Sequence, residues 1–422
     1  MKGDFSRLDY DPQENFTGVW HQQGRVLTDQ DWNAGTRIAG HLRELMGRDA
    51  FGPATVAVPA QQPDALRVLA LAGDGSRVRV QLQPGRCWID GLPLHLAGEV
   101  PLELVADYLG PPQDATLPDA GSIAAGVRDA VVLEAWEEAF SAFQERRPQR
   151  DPADPDRLLL EPALGGPDTT ERARLQYRLR LLRLAPGEEC GNLGRLADDL
   201  AARGRLSVSP EPGLGIEGEC PLELGGGFTG FEHALIRIEI DQPDAAGNAR
   251  FKWSRFNGGL VGRGVYDAAL SEVAIEANDQ AINHCGLTEF WFELLAHDPE
   301  QGHWRRYMSA DASLVADGRL QLANVTGAPP AAGEPFFFRL WDGIRLVSDF
   351  AAADPVTLAL GLQLQFDPPA TDNANYRPGD YWAFPVRTAG VDFDPALEWP
   401  DRAPPQGLVH HRAPLAIVTW HT

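Results

Sequence analysis

The chain has 422 residues, of which 43% are hydrophobic and 23% are charged. This composition is typical of a globular protein with roughly two to four domains and argues against a wholly disordered chain. The 37 basic and 60 acidic residues give a net charge of −23. Such a chain repels nucleic-acid phosphates and anionic membrane surfaces, so we expect neither of them as a partner.

No targeting or membrane segment is evident. The opening sequence MKGDFSRLDYDP has no apolar core, and no apolar run approaches the roughly 18 residues that cross a bilayer. We therefore expect synthesis in the cytoplasm without a signal peptide, which also fits a protein released later as part of a particle. The cysteines are widely spaced and form no CxxC pair, which predicts buried free thiols. They are Cys87, Cys190, Cys220 and Cys285.

An extended arm and one helix are predicted at the amino-terminal end. Residues 1–27 read as the arm, because Pro12 breaks any helix and glycines follow it. The helix is predicted to begin at Thr28 or Asp29, which are both good N-caps, and to end at Gly52. Its apolar residues recur at helical spacing and form one stripe. They are Ile38, Leu42, Leu45 and Met46.

The arm is polar, aromatic and interrupted by glycine, so it lacks the periodicity to fold alone. A segment of this kind gains order by lying on its own domain or on a neighbouring subunit. We expect its own domain, because Trp20, Val26 and Trp32 can be buried locally.

The rest of the chain is dominated by strands. Strict alternation of apolar and polar residues predicts strands near 77–83, 174–181, 236–240 and 358–366, and a strand is favoured for VVLEAW at 131–136. Helices are possible after Trp136, from Asn192 to Gly204 and from Asp267 to Ala277. The predicted fold class is mainly β, with sandwich or barrel-like domains, the N-terminal arm and helix, and few other short helices.

Four segments are predicted. They are the arm and helix at 1–50, a β domain at 51–185, a second β-rich domain or insertion at 186–350, and carboxy-terminal strands at 351–422. A charged, Pro-broken loop spans 144–157, and Gly225–Gly227 is a further joint. The last segment, LAIVTW, is expected to return and pair with an early strand.

Catalytic motifs are absent from the sequence, which has no GxSxG, Walker or HExxH pattern and no GxGxxG that opens a predicted helix. Glu134, Glu137 and Glu138 flank Trp136 and are the first candidates for a glycosidase carboxylate pair, although we favour surface acid. We predict no catalytic residue and no cofactor.

Two metal-site candidates are weak. Asp29-x-Asp31-x-Asn33 resembles the first half of a calcium loop, but its sixth position is alanine and its twelfth is glycine, so helix capping is favoured. His410 and His411 are neighbours on a predicted strand and would point to opposite faces, so they cannot easily share a metal.

Several short blocks carry a family resemblance. They are MKGDFSR, YDPQENFTGVWHQQGRVLTDQDWN, ALGGPDTTERARLQY, FKWSRFNG, RLWDG, YRPGDYWAFPVRT and LVHHRAPLAIV. In this order they resemble an uncharacterised bacterial family encoded among contractile injection system and phage-tail-like genes. Phe256, Glu138 and Val386 depart from the family pattern, which puts individual ion pairs in doubt. Longer relatives carry a β-helix after this region, so the resemblance implies that this chain, which ends at Thr422, has no spike or receptor-binding extension.

The resemblance implies a structural, non-enzymatic component of a contractile injection particle, baseplate-peripheral, cage or fibre-attaching, that acts by protein–protein assembly. Its expected partners are other particle subunits and further copies of itself in a symmetric assembly. A glycan- or cell-surface-binding module is the alternative, and a carbohydrate-processing enzyme borne by the particle is a third.

Candidate interaction residues fall on the arm and on one basic strand. An alternating basic face could dock an acidic partner, or it could be a solvated face paired with local carboxylates, which we favour. The candidates are Tyr10, Trp20, Gln23, Arg25, Asp29, Asp31 and Trp32 on the arm and helix, and Arg174, Arg178 and Arg180 on the strand.

Overall fold

The computed structural model describes residues 1–8, 10–74, 77–98, 100–109, 125–144, 159–160, 168–197, 204–211, 214–216, 222–224, 233–315, 318–367, 375–387 and 399–421. Cys220, the predicted joint at Gly225–Gly227, and nearly all of the predicted loop at 144–157 lie outside these ranges. So does part of the segment from Asn192 to Gly204, whose described portion forms short 3-10 turns.

The described residues form strands and two α-helices. The helices are α1 (Asp29–Phe51) and α2 (Asp279–His284). The strands, in chain order, are β1 (Val56–Ala57), β2 (Val68–Asp74), β3 (Arg77–Leu82), β4 (Gly85–Ile89), β5 (Leu92–Leu96), β6 (Leu102–Tyr108), β7 (Arg128–Phe140), β8 (Arg172–Arg183), β9 (Arg205–Pro210), β10 (Leu214–Ile216), β11 (Leu222–Leu224), β12 (Ala234–Asp241), β13 (Arg250–Ser254), β14 (Val261–Asp267), β15 (Glu272–Ala277), β16 (Glu289–Asp298), β17 (His303–Val315), β18 (Arg319–Gly327), β19 (Phe336–Trp341), β20 (Gly343–Leu346), β21 (Val356–Ala359), β22 (Leu362–Asp367), β23 (Tyr381–Val386) and β24 (His410–Thr419).

Three bodies account for nearly all of these strands. The first sandwich packs the six-stranded sheet β2-β3-β6-β8-β7-β24 on the sheet β1-β4-β5. The second sandwich packs the sheet β20-β13-β12-β23 on β21-β22-β9. The barrel closes through β14-β15-β18-β17-β16-β19 around a core rich in phenylalanine and leucine. The predicted mainly-β fold class is therefore confirmed.

The chain ends on the first sandwich. Strand β24 pairs antiparallel with β7, from His410 opposite Trp136 to Thr419 opposite Arg128. The predicted return of LAIVTW to an early strand is thus confirmed, as is the strand at VVLEAW. A single 3-10 turn follows that strand at Ala142–Gln144.

Two sequence predictions of secondary structure are wrong. The possible helix from Asp267 to Ala277 is strand β15, because EVAIEA alternates and turns Val273 into the barrel. The single strand predicted near 358–366 is the hairpin β21–β22. Leu360 and Gly361 both have positive φ, at 56° and 73°, which is the conformation of a two-residue hairpin turn.

The thiols only partly match the expectation that they are buried. Cys87 is free and buried, but Cys190 is free and exposed, because it lies in a 3-10 turn at the surface. Within the described ranges, neither helix combines the length and the apolar content that a membrane-spanning helix needs.

A buried cluster of charges joins the second sandwich to the barrel. The ammonium of Lys252 on β13 lies 2.7 and 2.9 Å from the two carboxylate oxygens of Glu293 on β16. Trp341 donates its indole N–H to the same carboxylate at 2.7 Å, and Arg306 approaches it at 2.8 Å. Burial alone would lower the pKa of Lys252, but Glu293 and the neighbouring carboxylates raise it. The cluster therefore stays ionised and internally paired.

We predict that Lys252→Met lowers the free energy of unfolding by roughly 3–5 kcal/mol, because it leaves Glu293 buried without its nearest cation. Chemical denaturation of the full chain measures this loss. The matched control is Arg319→Gln, which removes an exposed pair with Glu272 (3.0 Å) and should cost less than about 1 kcal/mol. Equal losses in the two variants would contradict the structural importance of the cluster.

Candidate interaction surface at the amino-terminal arm and helix

Residues 1–8 of the predicted arm are anchored on the second sandwich. We call them the amino-terminal segment and keep the name arm for residues 10–27. The Lys2 ammonium lies 3.4 Å from Glu239, a carboxylate that belongs to the cluster around Lys252. The side-chain amide of Asn257 donates to the carbonyl of Gly3 at 2.9 Å. The segment is thus held by buried contacts immediately before the arm begins.

The helix begins as the sequence predicts. Thr28 is the N-cap, and its hydroxyl oxygen accepts from the amide of Asp31 at 3.2 Å. The Asp29 carboxylate accepts from the amide and hydroxyl of Ser6 at 2.9 and 2.6 Å. Asp31 therefore takes part in the cap with Thr28, and Asp29 attaches the helix to the amino-terminal segment. Among the described residues, no group of three or more His, Cys, Asp or Glu side chains is arranged to hold a metal ion.

The other end of α1 is anchored on the first sandwich. Asp90 and Gly91 form the turn between β4 and β5, and an added Cβ at Gly47 would lie 2.6 Å from the Gly91 carbonyl oxygen. Asp90 accepts from Arg48 at 2.7 Å and contacts the His411 ring at 3.0 Å. Burial would raise the pKa of Asp90, but these two partners hold it well below the usual range.

Between these two anchors the arm is exposed, which overturns the prediction that it buries itself locally. Trp20 is 92% exposed, Val26 is 85% exposed and Trp32 is 66% exposed. Where the arm passes the helix at Val19 and His21, the helix presents the small residues Gly35 and Ala39, which offer little surface to cover a neighbouring side chain. Of the predicted apolar stripe on the helix, Ile38 is buried, whereas Leu42, Leu45 and Met46 are exposed.

The arm touches the helix at few places. His21 stacks on Trp32 with ring centroids 6.1 Å apart. Tyr10 is half-buried, and the Arg37 guanidinium lies over it, 5.2 Å from the centroid of the Tyr10 ring. Of the remaining candidates, Gln23 and Arg25 are exposed on the arm.

An open groove separates arm and helix. Its volume is about 470 Å³. It is lined by Val19, His21, Asp31, Trp32, Gly35, Thr36, Ala39, Gly40 and Arg43. The lining combines a large aromatic face and small helix residues with a few polar groups at its edge. We call residues 10–51, with this groove, the arm–helix surface.

The basic candidates on β8 have partners within the first sandwich. Arg178 donates to Glu134 at 2.7 Å, and Arg180 lies 3.9 Å from the same carboxylate. Arg174 is exposed and stacks over the Phe140 ring at 4.7 Å. The structure thus brings Arg178 and Arg180 together around one buried acid and leaves Arg174 at the surface.

The three candidate glutamates do not form a carboxylate pair. Glu134 is buried and bonded to Arg178, Arg412 and His410. Burial would raise its pKa, but these partners hold it well below the usual range, which opposes a role as a general acid. Glu138 on the same strand face lies 3.8 Å from Lys2, whereas Glu137 is exposed.

The adjacent histidines have separate partners. The His410 ring nitrogen lies 2.9 Å from Glu134, while His411 contacts Asp90 at 3.0 Å. This confirms that the two side chains point to opposite faces of β24.

We predict opposite effects for two glycine substitutions in α1. Gly47→Ala should destabilise the protein by roughly 1–3 kcal/mol, because the added methyl group meets the Gly91 carbonyl oxygen and the Trp88 ring. Gly40→Ala should stabilise it by roughly 0.5–1 kcal/mol, because only the end of the Arg43 side chain is near and alanine favours the helix. Thermal unfolding tests both, and a stabilised Gly47→Ala variant would contradict the anchor described here.

Comparison with known proteins places similarity in the part of the chain that carries this surface. A family model described as "Family of unknown function (DUF6519)" matches residues 1–204, so the chain is similar to that family over the arm, α1 and β1–β8. No curated protein and no solved structure matches the chain.

Proposed function

We propose that the protein is a structural subunit of a phage-tail-like contractile injection particle and that it joins a neighbouring subunit through the arm–helix surface. The observation that carries this proposal is the concentration of exposed apolar side chains. Among the described residues, nine of the sixteen exposed large apolar side chains lie between Phe16 and Phe51. An apolar patch of this kind marks an interaction site more often than a chance feature of the surface.

The surface is suited to docking because it is already ordered. Its two ends are fixed on different sandwiches, by Lys2 and Asn257 at one end and by Gly47 and Asp90 at the other. Little conformational entropy is therefore lost when a partner binds this surface, and this small loss favours a high affinity. The assignment to a contractile injection particle is supported by the sequence blocks that resemble the corresponding family.

A glycan-binding role is the second candidate, and a specific observation favours it. All eleven tryptophans fall in the described residues, and Trp20 and Trp32 are the two among them that are exposed. Exposed indoles beside a shallow groove with polar edges, here Asp31 and Arg43, can stack on a sugar ring.

We predict that mass spectrometry of purified contractile particles from the source organism detects this chain. Trp20→Ser should reduce its incorporation at least about tenfold, since the indole would be an interface anchor. Because Trp20 is 92% exposed, the variant should keep the wild-type unfolding midpoint. Leu270→Ser, at another exposed apolar site, is the control and should be incorporated normally. Particles that lack the chain would overturn the proposal.

The glycan alternative makes a different prediction. On a glycan array, the wild-type chain would bind a defined class of saccharide, and both Trp20→Ala and Trp32→Ala would lose that binding. A wild-type chain that binds no saccharide on the array contradicts the alternative and leaves the assembly role intact.

A further inference from the structure

Helix α1 carries a seam with coiled-coil spacing that is exposed except at Gly35, which is half-buried beside Val19 of the arm. Trp32, Gly35, Ala39, Leu42 and Met46 follow one another at intervals of three, four, three and four residues. At 3.6 residues per turn they fall within an arc of about 80°, and intervals that alternate between three and four are those of a helix that packs lengthwise on another helix. The buried residues Ile38 and Gly47 lie outside this arc, one on either side of it.

The sizes of these residues point to what the partner helix is. The first half of the seam carries the small residues Gly35 and Ala39, and the second half carries the large residues Leu42 and Met46. When two copies of α1 pack antiparallel, Gly35 faces Met46 and Ala39 faces Leu42. Large and small residues then interdigitate along the whole seam, whereas parallel packing would set small against small and leave voids.

The ends of the seam also match in the antiparallel arrangement. The same register places Trp32 opposite Asp49, which lies three residues after Met46 in the same spacing and is exposed. The indole N–H is a hydrogen-bond donor and the carboxylate is an acceptor. Each seam would thus end in one donor–acceptor pair, and the two-fold symmetry would repeat that pair at the opposite end.

The apolar area fits an interface between two copies. Eight exposed apolar side chains of the arm and α1 make up this area. Since a fully exposed aromatic side chain presents roughly 150–250 Å², the exposed parts of these eight amount to on the order of 1,000 Å² per copy. A standard interface needs about 800 Å² per partner. The α1 side chains supply less than half of the exposed area of the eight, so the arm must contribute as well. The eight are Phe16, Trp20, Val26, Leu27, Trp32, Leu42, Leu45 and Met46.

Charge does not set this face apart. Residues 10–51 hold six acidic and four basic residues, a net charge of −2, which is the average for a stretch of this length in a chain that carries −23 over 422 residues. Two copies that meet at this face therefore still repel each other at long range through their net negative charge.

We propose that two copies of this chain pair through an antiparallel contact of their α1 helices, flanked by the two arms. This inference rests on the proposed function, because it names the neighbour that the arm–helix surface binds. Since long-range repulsion between acidic chains is screened by salt, pairing should tighten as the salt concentration rises. Binding of a basic partner would weaken instead.

Sedimentation velocity of the purified full chain, at increasing protein and salt concentration, tests the pairing. We expect a dimer whose fraction rises with salt. Leu42→Asp should raise the dissociation constant at least about tenfold, because it places a charge in the seam. The matched control Leu270→Asp, at an exposed site on the β14–β15 turn, should leave it unchanged. A monomer at every condition, or a Leu42→Asp variant as dimeric as the wild type, overturns the inference.

A size exchange tests the antiparallel register itself. Ala39→Leu alone should weaken pairing by overfilling the seam, and Leu42→Ala alone should weaken it by leaving a void. The double variant Ala39→Leu/Leu42→Ala keeps the composition and restores a large residue opposite a small one, so its dissociation constant should return to within about threefold of the wild type. A double variant as weak as the single variants overturns the register.

The two proposals fail separately. A chain that is present in particles but monomeric in solution overturns the α1 pairing and leaves the assembly role intact. A chain that dimerises through α1 but is missing from particles overturns the assembly role and leaves the pairing intact.

Discussion

The position of the arm and helix on the protein surface depends on the ion pairs that two lysines form with buried carboxylates. Lys252 ties Glu293 of the barrel to the second sandwich, and Lys2 brings the amino-terminal segment to Glu239 in the same cluster. Buried carboxylates without cations are strongly destabilising. The cluster therefore fixes the start of the chain with the strength of a core contact, and the arm leaves from a defined point.

Three of the short sequence blocks singled out in the sequence analysis meet in this cluster. MKGDFSR supplies Lys2, FKWSRFNG supplies Lys252, and RLWDG supplies Trp341, whose ring lies 4.4 Å from the Lys252 ammonium. A second meeting point joins LVHHRAPLAIV to β7, where Arg412 donates to Glu134 at 2.9 Å. Both meeting points are internally paired and buried, so these residues of the blocks contribute to packing and charge pairing.

Local patterns predicted much of the fold. Alternation identified β3, β8 and β12, and the cap at Thr28 marked the start of α1, because each depends on neighbours in sequence. The two errors in secondary structure have the same origin, since both predictions used only local sequence patterns. EVAIEA was too short to separate a strand from a helix, and the leucine alternation near 358–366 concealed the turn at Leu360.

The candidate site was harder to predict, because periodicity shows that a face is apolar without showing what covers it. Trp20, Val26 and Trp32 are therefore predicted to be buried, yet all three are exposed. The charge cluster arises from residues far apart in the chain and cannot be inferred from spacing. One signal was present: the chain has only two lysines among its 37 basic residues, and both belong to this cluster.

The two anchors of the arm–helix surface have a mechanical consequence. A surface attached at one point can swivel about it, whereas this one is fastened to the second sandwich near Gly3 and to the first sandwich at Gly47. Tension applied by a bound neighbour is consequently divided between two rigid bodies. If one attachment opens, the other still holds the surface, so two fixed points limit its rotation more than a single tether would.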